Sequence, residues 1–172
     1  MAGLSITGGL VLKGEYSNDV ATPGLEIPVD TRTDTWRTAA TIVVPVDPGD
    51  IMTVDARARV TSELPYPVGI GAHLWQYDCD PEPGPDGVVP VVSARPWTRI
   101  APSWGMNVTR EIHHLPVQLG ALWQVPATWP IGHRVVFVLR VDAHSTAASG
   151  GDSVVGDAGY TLLRVRREAL AF

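Results

Sequence analysis

The chain has 172 residues and a mass of 18.4 kDa, the size of one ordinary domain. Apolar residues make up 45% and charged residues 18%, which excludes wholesale disorder, and no apolar run reaches the ~18 residues of a membrane span. Thirteen basic residues against 18 acidic give a net charge of −5, and the only basic cluster is Arg164, Arg166 and Arg167, so no nucleic-acid partner is expected. Lys13 is the sole lysine, a skew that accompanies GC-rich genomes. The single cysteine, Cys79, has no partner for a disulfide within the chain. The opening residues lack the positive and apolar regions of a signal peptide, so synthesis in a reducing compartment is the expectation.

The first 30 residues are broken by Gly3, Gly8, Gly9, Gly14, Pro23, Gly24 and Pro28, with only short apolar pieces at Ile6 and Leu10–Leu12. They read as an N-terminal arm or an early edge strand, ordered on a neighbour or completing the fold. Residues 31–172 read as one β-sandwich domain. Asp47-Pro48-Gly49-Asp50 places Pro and Gly where a type II turn needs them, joining a strand at Thr38–Val46 to one at Ile51–Leu64. Within the latter, Val54, Ala56, Ala58 and Val60 alternate with Asp55, Arg57 and Arg59. Further strands are predicted at Val68–Asp78, Val88–Val92, Thr109–Pro116 and Leu119–Val125. The segment His133–Ala143 sets Val135, Phe137, Leu139 and Val141 against Arg134, Val136, Val138, Arg140 and Asp142. Ser145–Gly159 reads as a long loop, and Thr161, Leu163 and Val165 form one face of a last strand. With 17 Gly and 15 Pro there is little room for long helices. The predicted class is all-β, an antiparallel two-sheet sandwich of jelly-roll type.

Chemical signatures are sparse. His113 and His114 are adjacent and so face opposite ways on a strand, and His73, His133 and His144 lack metal-ligand spacing, so no metal site is expected. No nucleophile elbow or phosphate loop exists, and Gly69-Ile70-Gly71-Ala72-His73-Leu74 fails as a dinucleotide fingerprint at Leu74. No catalytic residue and no cofactor is assigned. The acidic loop Asp78, Asp80, Glu82 and Asp86 has the oxygen ligands calcium favours, but Pro83 stands where a calcium loop has glycine. A solvated loop is the simpler reading. Cys79 between two acids is a poor nucleophile. Six Trp against two Phe is unusual, and Tyr77, Trp97, Trp104 and Trp129 are the candidates for an exposed aromatic binding surface. The alternative is that most of the aromatic rings cap the ends of a small sandwich. On the nominally outward faces, Val136, Val138 and Leu162 are the candidates for an oligomer interface.

Several blocks occur in the order found in a known family. Val68–Asp78 (VGIGAHLWQYD), Arg110–Pro116 (REIHHLP), Trp123–Arg134 (WQVPATWPIGHR) and Leu139–Ala147 (LRVDAHSTA), followed by Gly159-Tyr160, resemble minor tail proteins of tailed bacteriophages infecting actinobacteria. The resemblance spans about Trp36 to Arg167 and carries no catalytic signature. It implies a structural subunit of a phage tail, made in the bacterial cytoplasm and sited in the virion, with host-surface adhesion, including to a glycan, as an added role. It further implies contacts with other tail proteins and a homo-oligomer, three-fold by analogy. A carbohydrate-binding module and a capsid decoration protein are the alternatives; an enzyme ranks last.

Overall fold

The computed structural model describes residues 9–20, 25–31, 36–78, 98–112, 114–157 and 159–170. Every regular element among them is a strand. In chain order these are β1 (Leu10–Val20), β2 (Leu25–Asp30), β3 (Trp36–Val46), β4 (Ile51–Thr61), β5 (Val68–Asp78), β6 (Thr98–Arg99), β7 (Trp104–Val108), β8 (Leu115–Gln124), β9 (His133–His144), β10 (Ser153–Gly156) and β11 (Thr161–Leu170). The all-β class read from the sequence is therefore what forms. Between β3 and β4, Gly49 has φ 80° and the Asp50 amide donates to the Asp47 carbonyl at 3.1 Å, the turn that the Pro-Gly pair encodes.

Two local expectations are corrected. Thr109–Pro116 is not a strand; β7 lies earlier, and the chain bends before β8 opens at Leu115. Pairing of Trp104–Val108 with Ala72–Val68 imposes the extended form on a stretch with weak propensity of its own. The glycine-rich loop after β9 contains β10, held between Ile27 of β2 and Val60–Thr61 of β4. Val88–Val92, Cys79, the acidic loop from Asp80 to Asp86, Trp97 and His113 lie outside the described residues.

The ladders gather around two strands. β4 pairs with β8 along one edge and with β11 and then β10 along the other, and β1 continues outside β11. β9 pairs with β3 and β5, and β5 with β6 and β7. β2 joins the two groups, antiparallel to β10 and parallel to the end of β9. Alternating residues of both groups feed one core: Met52, Val54, Ala56 and Val60 from β4, Val135, Phe137, Leu139 and Val141 from β9, and Ile70 and Leu74 from β5.

Candidate functional site

Two clusters of charged residues stand out, and they differ in how well they are satisfied. The first ties down β1. A bulge between Leu12 and Gly14 takes Lys13 out of register with β11 and aims its ammonium at the β3–β4 turn. Lys13 Nζ donates to Asp47 Oδ2 at 2.8 Å and to Asp50 Oδ1 at 2.9 Å. Arg167 of β11 donates to Asp50 Oδ2 at 2.5 Å and also to Asp47. The Gly132 amide completes the set on Asp47 Oδ1 at 3.0 Å. The Lys13 hydrogen bond, then that of Gly132, holds the Asp47 carboxyl well below its usual range, at about 2. Each carboxylate here has cationic partners on two strands.

The second cluster lies on the outer side of the β5–β9 ladder. Gly71 is opposite Asp142, Gly69 opposite His144 and His73 opposite Arg140, so these side chains share a face. The two glycines leave a trough. A Cβ on Gly71 would stand 2.1 Å from Asp142 Oδ1, and one on Gly69 2.6 Å from the His144 ring. The Asp142 side chain leans into this space and is only 4% exposed. His73 Nε2 is 4.0 Å from Oδ1, and His144 Nδ1 is 3.6 Å from Oδ2. Both distances are too long for a hydrogen bond. Asp142 Oδ1 and His144 Nδ1 are buried with no hydrogen-bond partner among the described residues. Burial, only partly opposed by His144, pushes the Asp142 carboxyl above its usual range. Burial, followed by the nearby Arg99 charge, pushes His73 down. His73 Nδ1 is 3.3 Å from Ser103 Oγ, which accepts from Arg99 at 2.7 Å. Each oxygen of the carboxylate thus has one imidazole near it without a hydrogen bond to it. Among the described residues no three His, Cys, Asp or Glu side chains converge as metal ligands.

Sequence reasoning missed this cluster because it weighed the histidines by chain spacing alone. Gly69-x-Gly71 and Asp142-x-His144 have the spacing of two that puts each pair on one face of a strand. An acid amid the apolar run of His133–Ala143 was the available signal.

The candidates named from the sequence do not come together. The Trp129 ring lies 5.7 Å from Trp123 and 4.6 Å from His133, and Trp123 meets Phe137 edge-on at 5.8 Å. Trp123 and Trp129 are partly buried against the core. Trp104 begins β7 and packs against the core from elsewhere. Tyr77 is opposite Val136 in the β5–β9 register, and Trp97 falls outside the described residues. The outward placement of Val136 and Val138 is corrected: they are 0% and 2% exposed within the single chain. In the register Val138 stands between Thr41 and Trp75, and Val136 between Val43 and Tyr77, and both valines are buried. Leu162 is half-buried on β11 between Asp19 and Arg57. Arg140 is half-buried beside His73, and Asp55 stands opposite Arg164.

No family model matches the sequence, and no curated protein matches it. Among solved structures, the chain is similar to a chain of infectious bursal disease virus, Gx strain, at 11% identity and a TM-score of 0.44, covering 92% of this chain and 38% of that one. It is likewise similar to a chain of the T13 viral particle of the same virus, at 13% identity and a TM-score of 0.44, covering 99% of this chain and 40% of that one. The chain spans about two fifths of the length of each.

Proposed function

We propose that this chain is a non-catalytic structural subunit of a virus particle, a phage tail component that assembles with copies of itself. The structural observation behind the reading is strand order. Counting only the eight main strands (β1, β3, β4, β5, β7, β8, β9, β11) as one to eight, the ladder around β4 runs 1-8-3-6 and the ladder around β9 runs 2-7-4-5. That order is the one expected of a jelly roll, and it supports reading the two ladders as the facing sheets of that architecture, one used by viral coat proteins and by lectins. Fold alone does not choose between those uses. The ordered resemblance from Trp36 to Arg167 favours the virion, and the tail within it. Trp104 and Trp129 are packed against the core, so neither offers a whole ring for stacking on a sugar. Leu10, Val11 and Leu12 are exposed on the outermost strand, apolar surface that assembly would cover. The three-fold number belongs to this proposal by analogy.

Electron microscopy of purified particles labelled with an antibody against the chain tests the reading. Label at the tail supports it, label over the head moves the chain to a decoration role, and absence of the chain from purified particles overturns it.

A further inference from the structure

We propose that the edge of β8 left unpaired among the described residues is a surface through which two copies of this chain pair, strand to strand and antiparallel, about a two-fold axis at Ala121. This rests on the homo-oligomeric reading above and adds the contact and its register.

A sheet edge presents unpaired N–H and C=O groups, and natural proteins blunt it with charge, bulges, proline or brevity. Each of the other outer strands among the described residues carries such a device. β1 has its bulge at Lys13 and the charges of Lys13 and Glu15. β3 has a register shift between Thr38 and Ala40, with Arg37 and Pro45. β7 has only five residues. β8 is different. It runs ten residues, Leu-Pro-Val-Gln-Leu-Gly-Ala-Leu-Trp-Gln, without a charge. Its register against β4 is unbroken from Ile51↔Gln124 to Val60↔Leu115, and among the described residues it pairs with β4 alone. Pro116, at one end, is its single protective residue. Leu122 projects from its outer face at 71% exposure.

The pattern of side chains selects a second copy as the occupant. In an antiparallel pair centred on Ala121, Leu122 lies beside Gly120 of the other copy, where no side chain competes for the space. Gln118 meets Gln124 of the other copy, two amides able to hydrogen-bond. The same contacts repeat across the axis, as an isologous interface requires. The outer-face residues Gln118, Gly120, Leu122 and Gln124 include no charge, so the self-pairing brings no like charges together. Alone, the contact gives a dimer; joined to a three-fold ring, it gives six copies.

The test uses the full chain with Cys79→Ser and the pair Gln118→Cys and Gln124→Cys, both at exposed positions. Under mild oxidation the double variant is expected to give a disulfide-linked dimer, while either single cysteine variant stays largely uncrosslinked, because each cysteine faces its counterpart only in this register. Leu122→Lys, on an exposed side chain, is expected to weaken association by about tenfold through like charges brought near the axis. An oligomeric parent chain whose double variant crosslinks no better than the singles, or whose mass profile ignores Leu122→Lys, overturns the β8 contact and leaves the oligomeric reading standing. A parent chain that is monomeric at high micromolar concentration overturns both.

Discussion

The cluster at Lys13 and the cluster at Asp142 place carboxylates of similar burial in opposite situations. Asp50 is 3% exposed in its side chain and receives Lys13, Arg167 and the Asp47 amide. Asp142 is 4% exposed and its Oδ1 receives nothing among the described residues. A buried charge with its partners in place locks elements together, whereas one without them works against folding. The first cluster is architecture: it fastens β1 and β11 to the β3–β4 turn. The second leaves a buried carboxylate oxygen without a partner among the described residues, in a trough made by two glycines.

The contrast is sharpest where one partner is removed. Arg167→Ala leaves Asp50 buried with less of its compensation and is expected to destabilise the fold by about 3 kcal/mol in urea unfolding. A loss under 1 kcal/mol would place the network at the surface in energetic terms and dissolve the comparison.

Gly71→Ala comes next. Its Cβ would meet Asp142 Oδ1, a short buried side chain with little room to yield, and a cost of about 2 kcal/mol is expected. Gly69→Ala meets the His144 ring, which is 41% exposed and can swing outward, so about 0.5 kcal/mol is expected there. Combining Gly71→Ala with Asp142→Ala is expected to recover most of the loss, and additive effects would show that the clash lies elsewhere.

Asp142→Asn is expected to raise stability, by about 1 kcal/mol at pH 7. The sign follows from linkage. The native carboxyl titrates above its ordinary 3.8, so the unfolded chain releases its proton first. Stability therefore falls as pH rises from 3.8 through the raised native value, and the penalty is complete at neutral pH. The advantage of Asn should fade toward pH 4. A stabilisation that is independent of pH would assign the effect to packing instead of charge.

A smaller effect than at Asp142 is expected at Asp47, whose carboxyl is 30% exposed. Its native value is lowered from 3.8 to about 2, so its contribution is full above pH 4 and disappears as pH falls through 2. Asp47→Asn should cost about 0.7 kcal/mol at pH 7, with solvent screening holding it there, and almost nothing at pH 2.

The strands were legible where alternation and turn chemistry agree. Val54, Ala56, Ala58 and Val60 all point inward, and Gly49 has the positive φ that the Asp47–Asp50 turn needs. The faces of β9 were not legible, because Val136 and Val138 are buried in register with neighbours on β3 and β5 that no local pattern specifies. β10 was hidden for a similar reason: four residues in a glycine-rich loop become a strand only when β2 and β4 flank them. The Asp142 cluster depends on register between segments about 70 residues apart in sequence, a tertiary fact that period and composition do not contain.

Light scattering on the full-length chain at high micromolar concentration, coupled to size-exclusion chromatography, tests the assembling-subunit reading most directly. That reading predicts a mass at a whole multiple of 18.4 kDa greater than one. A single-chain mass of 18.4 kDa, unchanged up to that concentration, would contradict it.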